Sequence, residues 1–251
     1  MKFKNTYRVR SSEITPDYEM REYYVGMYFQ ECFAEYAVAH KCAAPDLAKL
    51  GLTWITMGGA VKFFPPMPVW RDPVEVSAWV CEIGGVKIRT NFEAACGGRK
   101  IACGSTVNFI ADLQTHKPQK ASSVAGMLEV CKDSVDIPDH AFEKIEMFDN
   151  GCCASEGMNM IVQTVRFDEL DFNMHLNNVR YIPRALEAID KDYRICHMLK
   201  SYRIRFEHEA FYGDEIESIL TRRGDAFTHL LRRREDGAVL CAMETLWQER
   251  P

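Results

Sequence analysis

The sequence has no long hydrophobic run. Its longest uncharged stretch rich in apolar residues, Leu50 to Val61, is well short of the roughly 20 residues that a helix needs to span a bilayer. No apolar segment follows the basic start (Lys2, Lys4, Arg8, Arg10), so neither a signal peptide nor a transit sequence is expected. Positive charge is not in excess. The 31 Lys and Arg face 36 Asp and Glu, a net charge of −5, which is a poor basis for nucleic-acid binding driven by phosphate neutralisation. A GxSxG elbow is missing, which disfavours a serine hydrolase triad. GxGxxG, P-loop and HExxH patterns are missing too, so nothing supports a nucleotide, cofactor or metal site.

Cysteine is plentiful, but CxxC spacing is absent. The positions are 32, 42, 81, 96, 103, 131, 152, 153, 196 and 241, which argues against a zinc or thioredoxin-like site and for reduced, mostly buried thiols in a cytoplasm. With 251 residues, 47% hydrophobic and 27% charged, the chain can bury a real core and is not disordered; one large or two small domains are expected.

Along the chain, Phe3 to Ile14 reads as a strand closed by the turn Thr15-Pro16-Asp17. Glu22 to Lys41 reads as a long helix, with Val25, Tyr28, Phe29, Cys32, Phe33 and Tyr36 recurring at three and four. Strand texture follows at about 54–63, 73–82, 86–96 and 100–112, with Gly84-Gly85 and Gly97-Gly98 as hairpin turns. From Gln114 to Gly157 the sequence is loop-rich, with a helix-like Ala125 to Cys131. A strand at 158–167, a helix at 178–190 and strands at about 199–208, 214–223, 226–234 and 238–249 finish the chain.

This order of strand, helix and antiparallel strands occurs twice, and short matches link the copies. Asp17 to Val25 lies 154 residues before Asp171 to Val179, Trp70 to Glu75 lies 142 before Tyr212 to Glu217, and Ile101-Ala102-Cys103 lies 138 before Val239-Leu240-Cys241. The offsets fall in order, as insertions in the first half would require. The expected fold class is therefore α+β: two tandem hot-dog domains, each a curved sheet around a helix, forming an intramolecular pseudo-dimer with a continuous antiparallel sheet; a single all-in-one α+β domain is the alternative that patterning alone leaves open.

The chemistry concentrates in Asp171-Phe172-Asn173-Met174-His175-Leu176-Asn177-Asn178, just before the second helix. Asn177 or Asn178 can cap that helix, leaving N–H groups and a positive dipole end suited to an oxyanion. If the loop is extended, alternation turns Asp171, Asn173 and His175 to one side. The plainer reading of such a DxNxH is an Asx-turn plus a surface histidine. At the 154-residue offset the first copy has Asp17, Glu19 and Arg21, so it lacks the Asn and His, as a single active site would require.

The DxNxHxNNxxY pattern, with a glutamate and a Gly-Asp turn some thirty residues later, resembles the acyl-[acyl carrier protein] thioesterases. So does the first-half stretch from Leu52-Thr53-Trp54-Ile55 to Pro68-Val69-Trp70-Arg71-Asp72-Pro73. The resemblance implies a first, degenerate hot-dog domain at 1–125 that binds acyl chains, a linker at 126–156 and a catalytic domain at 157–251. It implies Asp171, Asn173 and His175 as catalytic residues, with Glu209 as the acid and Glu207 in reserve. A cysteine found after that glutamate in some plant members is Ala210 here. The implied reaction is water attack on the thioester of acyl carrier protein, or of acyl-CoA, by a monomeric pseudo-dimer or a homodimer, without cofactor, metal, nucleic acid or membrane. A non-catalytic acyl-binding module is the reading from another class.

Two further groups of residues have plain readings first. Tyr28, Phe29, Phe33 and Tyr36, with Trp54, Met57, Phe63, Phe64 and Met67, read as core and only then as acyl contacts. Arg232-Arg233-Arg234, Arg203, Arg205, Arg222 and Arg223 are candidates for docking an acidic carrier. A direct test concerns the thiols: titration of the denatured protein without reductant should return all ten, and no single Cys→Ala change should abolish thioester hydrolysis. A missing pair of thiols, or one inactive but folded alanine variant, would overturn the reading.

Overall fold

The structure, a computed structural model, describes residues 1–146 and 159–250. Cys152-Cys153, Asp149-Asn150-Gly151, Met158 and with them part of the 126–156 linker lie outside the described residues. The chain divides into two compact units, Met1–Ala141 and Phe142–Pro251.

The first unit runs β1 (Phe3–Arg8), α1 (Tyr24–Ala39), α2 (Ala44–Ala48), β2 (Leu52–Phe63), β3 (Pro73–Gly84), β4 (Lys87–Cys96) and β5 (Arg99–Asp112). Its antiparallel sheet has the order β1-β3-β4-β5-β2. Helix α1 lies on one face. The Phe29 ring stacks on Phe92 with centroids 4.9 Å apart, and the Cys32 thiol donates to the Val76 carbonyl at 3.7 Å. The helix approaches so closely that a Cβ at Gly104 would stand 2.7 Å from the Phe29 ring. Tyr28, Phe29, Tyr36, Phe63 and Met67 are buried, as a core stripe requires.

The opposite face is covered by chain that the sequence presents as loop. Val130 bridges Val80, and Cys131 N–H donates to the Val80 carbonyl at 2.9 Å. The segment then crosses the outer face, where Trp79 Nε1 and Asn91 Nδ2 both donate to the Asp133 carbonyl, at 2.9 and 3.2 Å. The expected helix at Ala125 to Cys131 is a single 3-10 turn, Ala125–Met127. Seven residues gain little from helix formation on their own. Burial of Val124 and Leu128 and pairing of Val130 with a strand edge stabilise the extended form instead.

The second unit repeats the plan: β6 (Asn159–Thr164), α3 (Asn178–Leu186), α4 (Lys191–Cys196), β7 (His197–Phe206), β8 (Glu215–Arg223), β9 (Ala226–Arg233) and β10 (Val239–Glu249), with sheet order β7-β10-β9-β8-β6. Helix α3 packs on β8, β9 and β10. These are two tandem hot-dog domains. Helix α1 and strand β7 are each offset by two residues at both ends from the sequence reading, and three other boundaries differ for a visible reason. Strand β1 stops at Arg8 and β6 at Thr164, because 3-10 turns at Ser11–Glu13 and Phe167–Glu169 follow each. Helix α3 ends at Leu186 rather than at 190. Pro183 removes one of its hydrogen bonds, and Asp190 starts a new helix by accepting from Asp192 N and Tyr193 N at 2.8 and 3.2 Å.

Hydrogen bonds place the repeat more firmly than residue identities do. Ile14 bridges Met20 as Leu170 bridges Leu176, and Arg10 N donates to Glu13 Oε2 as Arg166 N donates to Glu169 Oε2. Both pairs set the first offset at 156, which corrects the 154 read from Asp17 and Asp171. The true counterparts of Asp171, Asn173 and His175 are Thr15, Asp17 and Glu19. The middle offset stays at 142: Val69 N donates to Asp72 Oδ2 and Phe211 N to Asp214 Oδ2, each at 2.9 Å. The last becomes 139, since the Ile101 and Leu240 carbonyls accept the equivalent bonds.

The core beneath α3 holds a histidine. His229 is fully buried, with Nδ1 3.1 Å from the Ala185 carbonyl and Nε2 3.0 Å from Thr245 Oγ1. Burial lowers its pKa to about 3, the Ala185 contact opposing the shift. The unfolded chain therefore binds a proton near pH 6.5 that the folded chain refuses until about pH 3. Between those values this group should cost about 1.4 kcal/mol of stability per pH unit on acidification, and nothing above pH 6.5. Urea melts from pH 7 to pH 4 should show a shallower loss for His229→Leu than for the natural protein. Equal slopes would remove the assignment.

Candidate active site

The site is built from two loops of the second unit joined by backbone pairing. In the first, Met174 N–H donates to the Asp171 carbonyl at 3.0 Å, and Met174 adopts a φ of 64°. The Asp171 carboxylate fixes that turn, its Oδ1 accepting from Asn173 N at 2.8 Å and from His175 N at 3.3 Å. The loop is therefore an Asx-type turn and not an extended segment, because a carboxylate two residues before a free N–H closes a turn readily. Alternation survives in the burial pattern. Phe172 and Met174 are 75% and 56% exposed, while Asp171, Asn173 and His175 are half-buried.

The second loop follows β7. Leu176 N–H donates to the Ala210 carbonyl at 2.8 Å, and His175 bridges Phe211. This seam carries Glu209 across to the histidine, with Glu209 Oε1 3.2 Å from His175 Nδ1. The Phe211 ring stands edge-on to the imidazole, with centroids 5.0 Å apart. Glu207 goes elsewhere. It is exposed, and its Oε1 accepts from Arg205 Nε at 2.8 Å. The structure thus brings Asp171, Asn173, His175 and Glu209 into one loop cluster and leaves Glu207 outside it.

The start of α3 lies directly behind. Asn177 is the cap, its Oδ1 accepting from Val179 N at 3.2 Å, and Arg180 N donates to the Asn177 carbonyl at 2.8 Å. Two of the N–H groups expected to face an oxyanion are therefore already engaged. Below the cluster, burial raises the pKa of the Tyr181 phenol, and the Ala210 main chain bonded to its hydroxyl opposes the shift. Burial likewise holds the thiol of fully buried Cys241 well above its usual range and that of Cys42 at about 11, which makes both poor nucleophiles. The described cysteines are all free, and Ala210 is itself fully buried.

The arginines offered for docking are engaged within the protein. Arg203 pairs with Glu244, Arg205 with Glu207, Arg232 with Glu217, Arg233 with Asp214 and Asp236, and Arg234 with Glu215. Arg222 lies over the Tyr193 and Phe227 rings. What the sequence reading missed is a local task for Arg233, whose Nη2 donates to the Glu209 carbonyl at 2.7 Å. The register of β8 with β9 was the signal for it, since Ile216 beside the Asp214 turn pairs with Arg233. Among the described residues there is no group of three His, Cys, Asp or Glu placed to hold a metal ion, and no helix is long and apolar enough to cross a membrane.

Comparison with known proteins agrees with this architecture. Residues 154–249 match the acyl-ACP thioesterase C-terminal domain. The chain is 23% identical over 265 aligned positions to a chloroplastic dodecanoyl-[acyl-carrier-protein] hydrolase of Cinnamomum camphora, covering 98% of this chain and 67% of the relative. It is 24% identical to oleoyl-acyl carrier protein thioesterase 1 of Arabidopsis thaliana, covering 82% of this chain and 63% of the relative. In fold it is similar to the 12:0-ACP thioesterase of Umbellularia californica, with a TM-score of 0.85 at 19% identity and coverage of 99% and 98% of the two chains. An acyl-ACP thioesterase structure from Bacteroides thetaiotaomicron gives 0.85 at 17% identity, with 98% of each chain covered. The relatives that share these two hot-dog domains are named as thioester hydrolases. Along nearly its whole length the chain is similar to acyl-ACP thioesterases.

The carboxylate-bound turn is open to a direct check. Asp171→Ala should speed amide exchange at Asn173 and His175, while Asp171→Asn, which keeps an oxygen acceptor, should leave it nearly unchanged. Unaltered exchange in the alanine variant would show that the turn does not depend on this carboxylate.

Proposed function

We propose that the chain hydrolyses the thioester of acyl-acyl carrier protein, releasing a free fatty acid and so ending acyl-chain elongation. The observation that carries this reading is the 3.2 Å approach of Glu209 Oε1 to His175 Nδ1 in a chain similar to acyl-ACP thioesterases. Glu209 is the general base. It takes a proton from a water molecule as the water oxygen attacks the thioester carbonyl carbon. The resulting oxyanion is stabilised by a donor placed before the reaction begins, the Asn173 amide, together with the positive dipole end of α3. The C–S bond then breaks, and Glu209 returns its proton to the departing thiolate. His175 holds the carboxylate and the water in line, and Asp171 acts through the turn it closes. The first domain supplies apolar surface for the acyl chain.

Acyl carrier protein is the partner in this reading, with acyl-CoA as the competing thioester. The many reduced thiols suit a reducing compartment, and we place the protein in the cytoplasm. Hydrolysis of matched acyl-carrier-protein and acyl-CoA panels distinguishes the two carriers; activity on neither would leave an acyl-binding module.

The base has a sharper test. Glu209→Gln should lower kcat by roughly 10²–10⁴ with little change in KM, the scale of a lost general base. Glu207→Gln, whose carboxylate is held by Arg205, should stay close to the natural rate. Adding His175→Ala to Glu209→Gln should cost much less than the product of the two single losses, because both act on one step. A fully active Glu209→Gln enzyme would move the base elsewhere.

A further inference from the structure

We propose that Arg233 is a positioning residue for the Glu209 carboxylate, acting through the main chain of its loop; this rests on the reading of Glu209 as the base. Arg233 ends β9, and its guanidinium makes three bonds. Nη2 donates to the Glu209 carbonyl at 2.7 Å, Nε to Asp214 Oδ2 at 3.0 Å, and Nη1 to Asp236 Oδ2 at 2.8 Å. Asp214 Oδ2 in turn accepts from Phe211 N at 2.9 Å. The loop from Glu209 to Asp214 is thus gripped at both ends by one planar cation, a task suited to a rigid fork of donors. Arg233 and Asp214 side chains are only 18% and 17% exposed, so this pair is screened less than a surface ion pair.

The first domain serves as an internal control. It keeps the corner, with Asp72 Oδ2 holding Val69 N at 2.9 Å as Asp214 holds Phe211 N. In the second domain Arg233 pairs with Ile216. The equivalent place beside Val74 falls to Cys96, one position beyond the Glu75–Ala95 pair. The thiol there has its pKa raised by burial and then by the nearby Asp72 carboxylate, as expected for a group at that corner. Where the arginine is replaced by cysteine, the glutamate is replaced by Met67. The first domain's loop is held by a different arginine, Arg99, which donates Nη1 to the Phe64 carbonyl at 3.0 Å and Nη2 to the Pro66 carbonyl at 2.5 Å. In the second domain one guanidinium bonds the corner carboxylate as well, and the carbonyl it holds belongs to the residue whose carboxylate must be aimed.

A solvent-open hollow of about 380 Å³, lined by Gly213, Asp214, Glu215, Arg233, Arg234 and Glu235, lies against the guanidinium. Small cations can therefore reach the position that a shortened side chain would vacate. The experiment compares Arg233→Ala, Arg233→Lys and Glu209→Gln, alone and combined, on one acyl-carrier-protein substrate, with folding checked by circular dichroism. Arg233→Ala should lose about 10- to 100-fold in kcat with KM little changed, the scale of a misaimed catalytic group. Arg233→Lys should lose less, and added guanidinium chloride at low millimolar concentration should restore part of the alanine variant's kcat. In the Glu209→Gln background, Arg233→Ala should cost nothing further.

Natural kcat in folded Arg233→Ala, while Glu209→Gln is inactive, would overturn the inference and leave the base assignment standing. So would full multiplication of the two losses in the double variant. A fully active Glu209→Gln enzyme would remove the base reading, and this inference with it. If Arg233→Ala does not fold, the charge-neutral pair Arg233→Gln with Asp214→Asn takes its place, and natural kcat in that variant overturns the inference equally.

Discussion

The geometry of the candidate site depends on one backbone seam, the bond from Leu176 N–H to the Ala210 carbonyl with the bridge between His175 and Phe211. It joins two loops that lie more than thirty residues apart in sequence. Neither loop holds a catalytic geometry alone. The first ends in a turn set by Asp171, and the second leaves β7 after Phe206, with Glu207 N donating to the Leu240 carbonyl of β10 at 2.9 Å. Main-chain pairing solves the problem cheaply, since a backbone register fixes side-chain position without requiring the reacting groups to contribute to stability. The histidine and glutamate can then remain partly exposed, where a substrate must reach them.

The seam is anchored from below by a buried ion pair. Glu169 closes its 3-10 turn by accepting from Arg166 N at 2.9 Å, and its carboxylate is paired with Arg184 of α3. Arg184 also donates to the Thr164 carbonyl at 2.8 Å, and Asn177 N donates to the Glu169 carbonyl at 3.0 Å. One side chain thus ties the end of β6, the turn and the helix together. In the first domain the same position is Tyr28, whose hydroxyl donates to Glu13 Oε2 at 2.5 Å and lies 3.1 Å from the Arg8 carbonyl. Removing one partner of a buried pair costs about 3–5 kcal/mol, so this anchor is a structural element held apart from the Glu209 carboxylate. The two jobs fall to two glutamates.

Most of the fold was legible because its signals are local. Alternation marked the strands of both sheets, and three-and-four spacing marked α1 and α3. What failed was non-local or subtle. The strap over the outer face of the first sheet looks like loop, because its order comes from Trp79, Asn91 and Val80 rather than from its own periodicity. The repeat was misplaced by two residues because matching Asp17 to Asp171 follows letters, whereas the turn is defined by bonds. Thr15 occupies the true position, its N–H donating to the Glu19 carbonyl at 2.7 Å as Asp171 N–H donates to the His175 carbonyl at 2.8 Å. The candidate site residues stood out by type and spacing. The choice between Glu207 and Glu209 did not, since both fall beyond the strand, where alternation no longer applies.

The duplicated corner also explains why only one domain carries the charged pair. The first domain has Glu19 where the second has His175, and buried Met67 where it has Glu209. A carboxylate at position 67 would face another carboxylate across the seam, and two like charges at that separation in a partly dry site repel strongly. Methionine removes the conflict and adds apolar contact to the core. Conversely, His175 with methionine opposite it would lose the carboxylate that now stands 3.2 Å away. The two positions must change together or not at all. Duplication supplies that freedom, since one copy can turn the corner into packing while the other keeps it open for water and thioester.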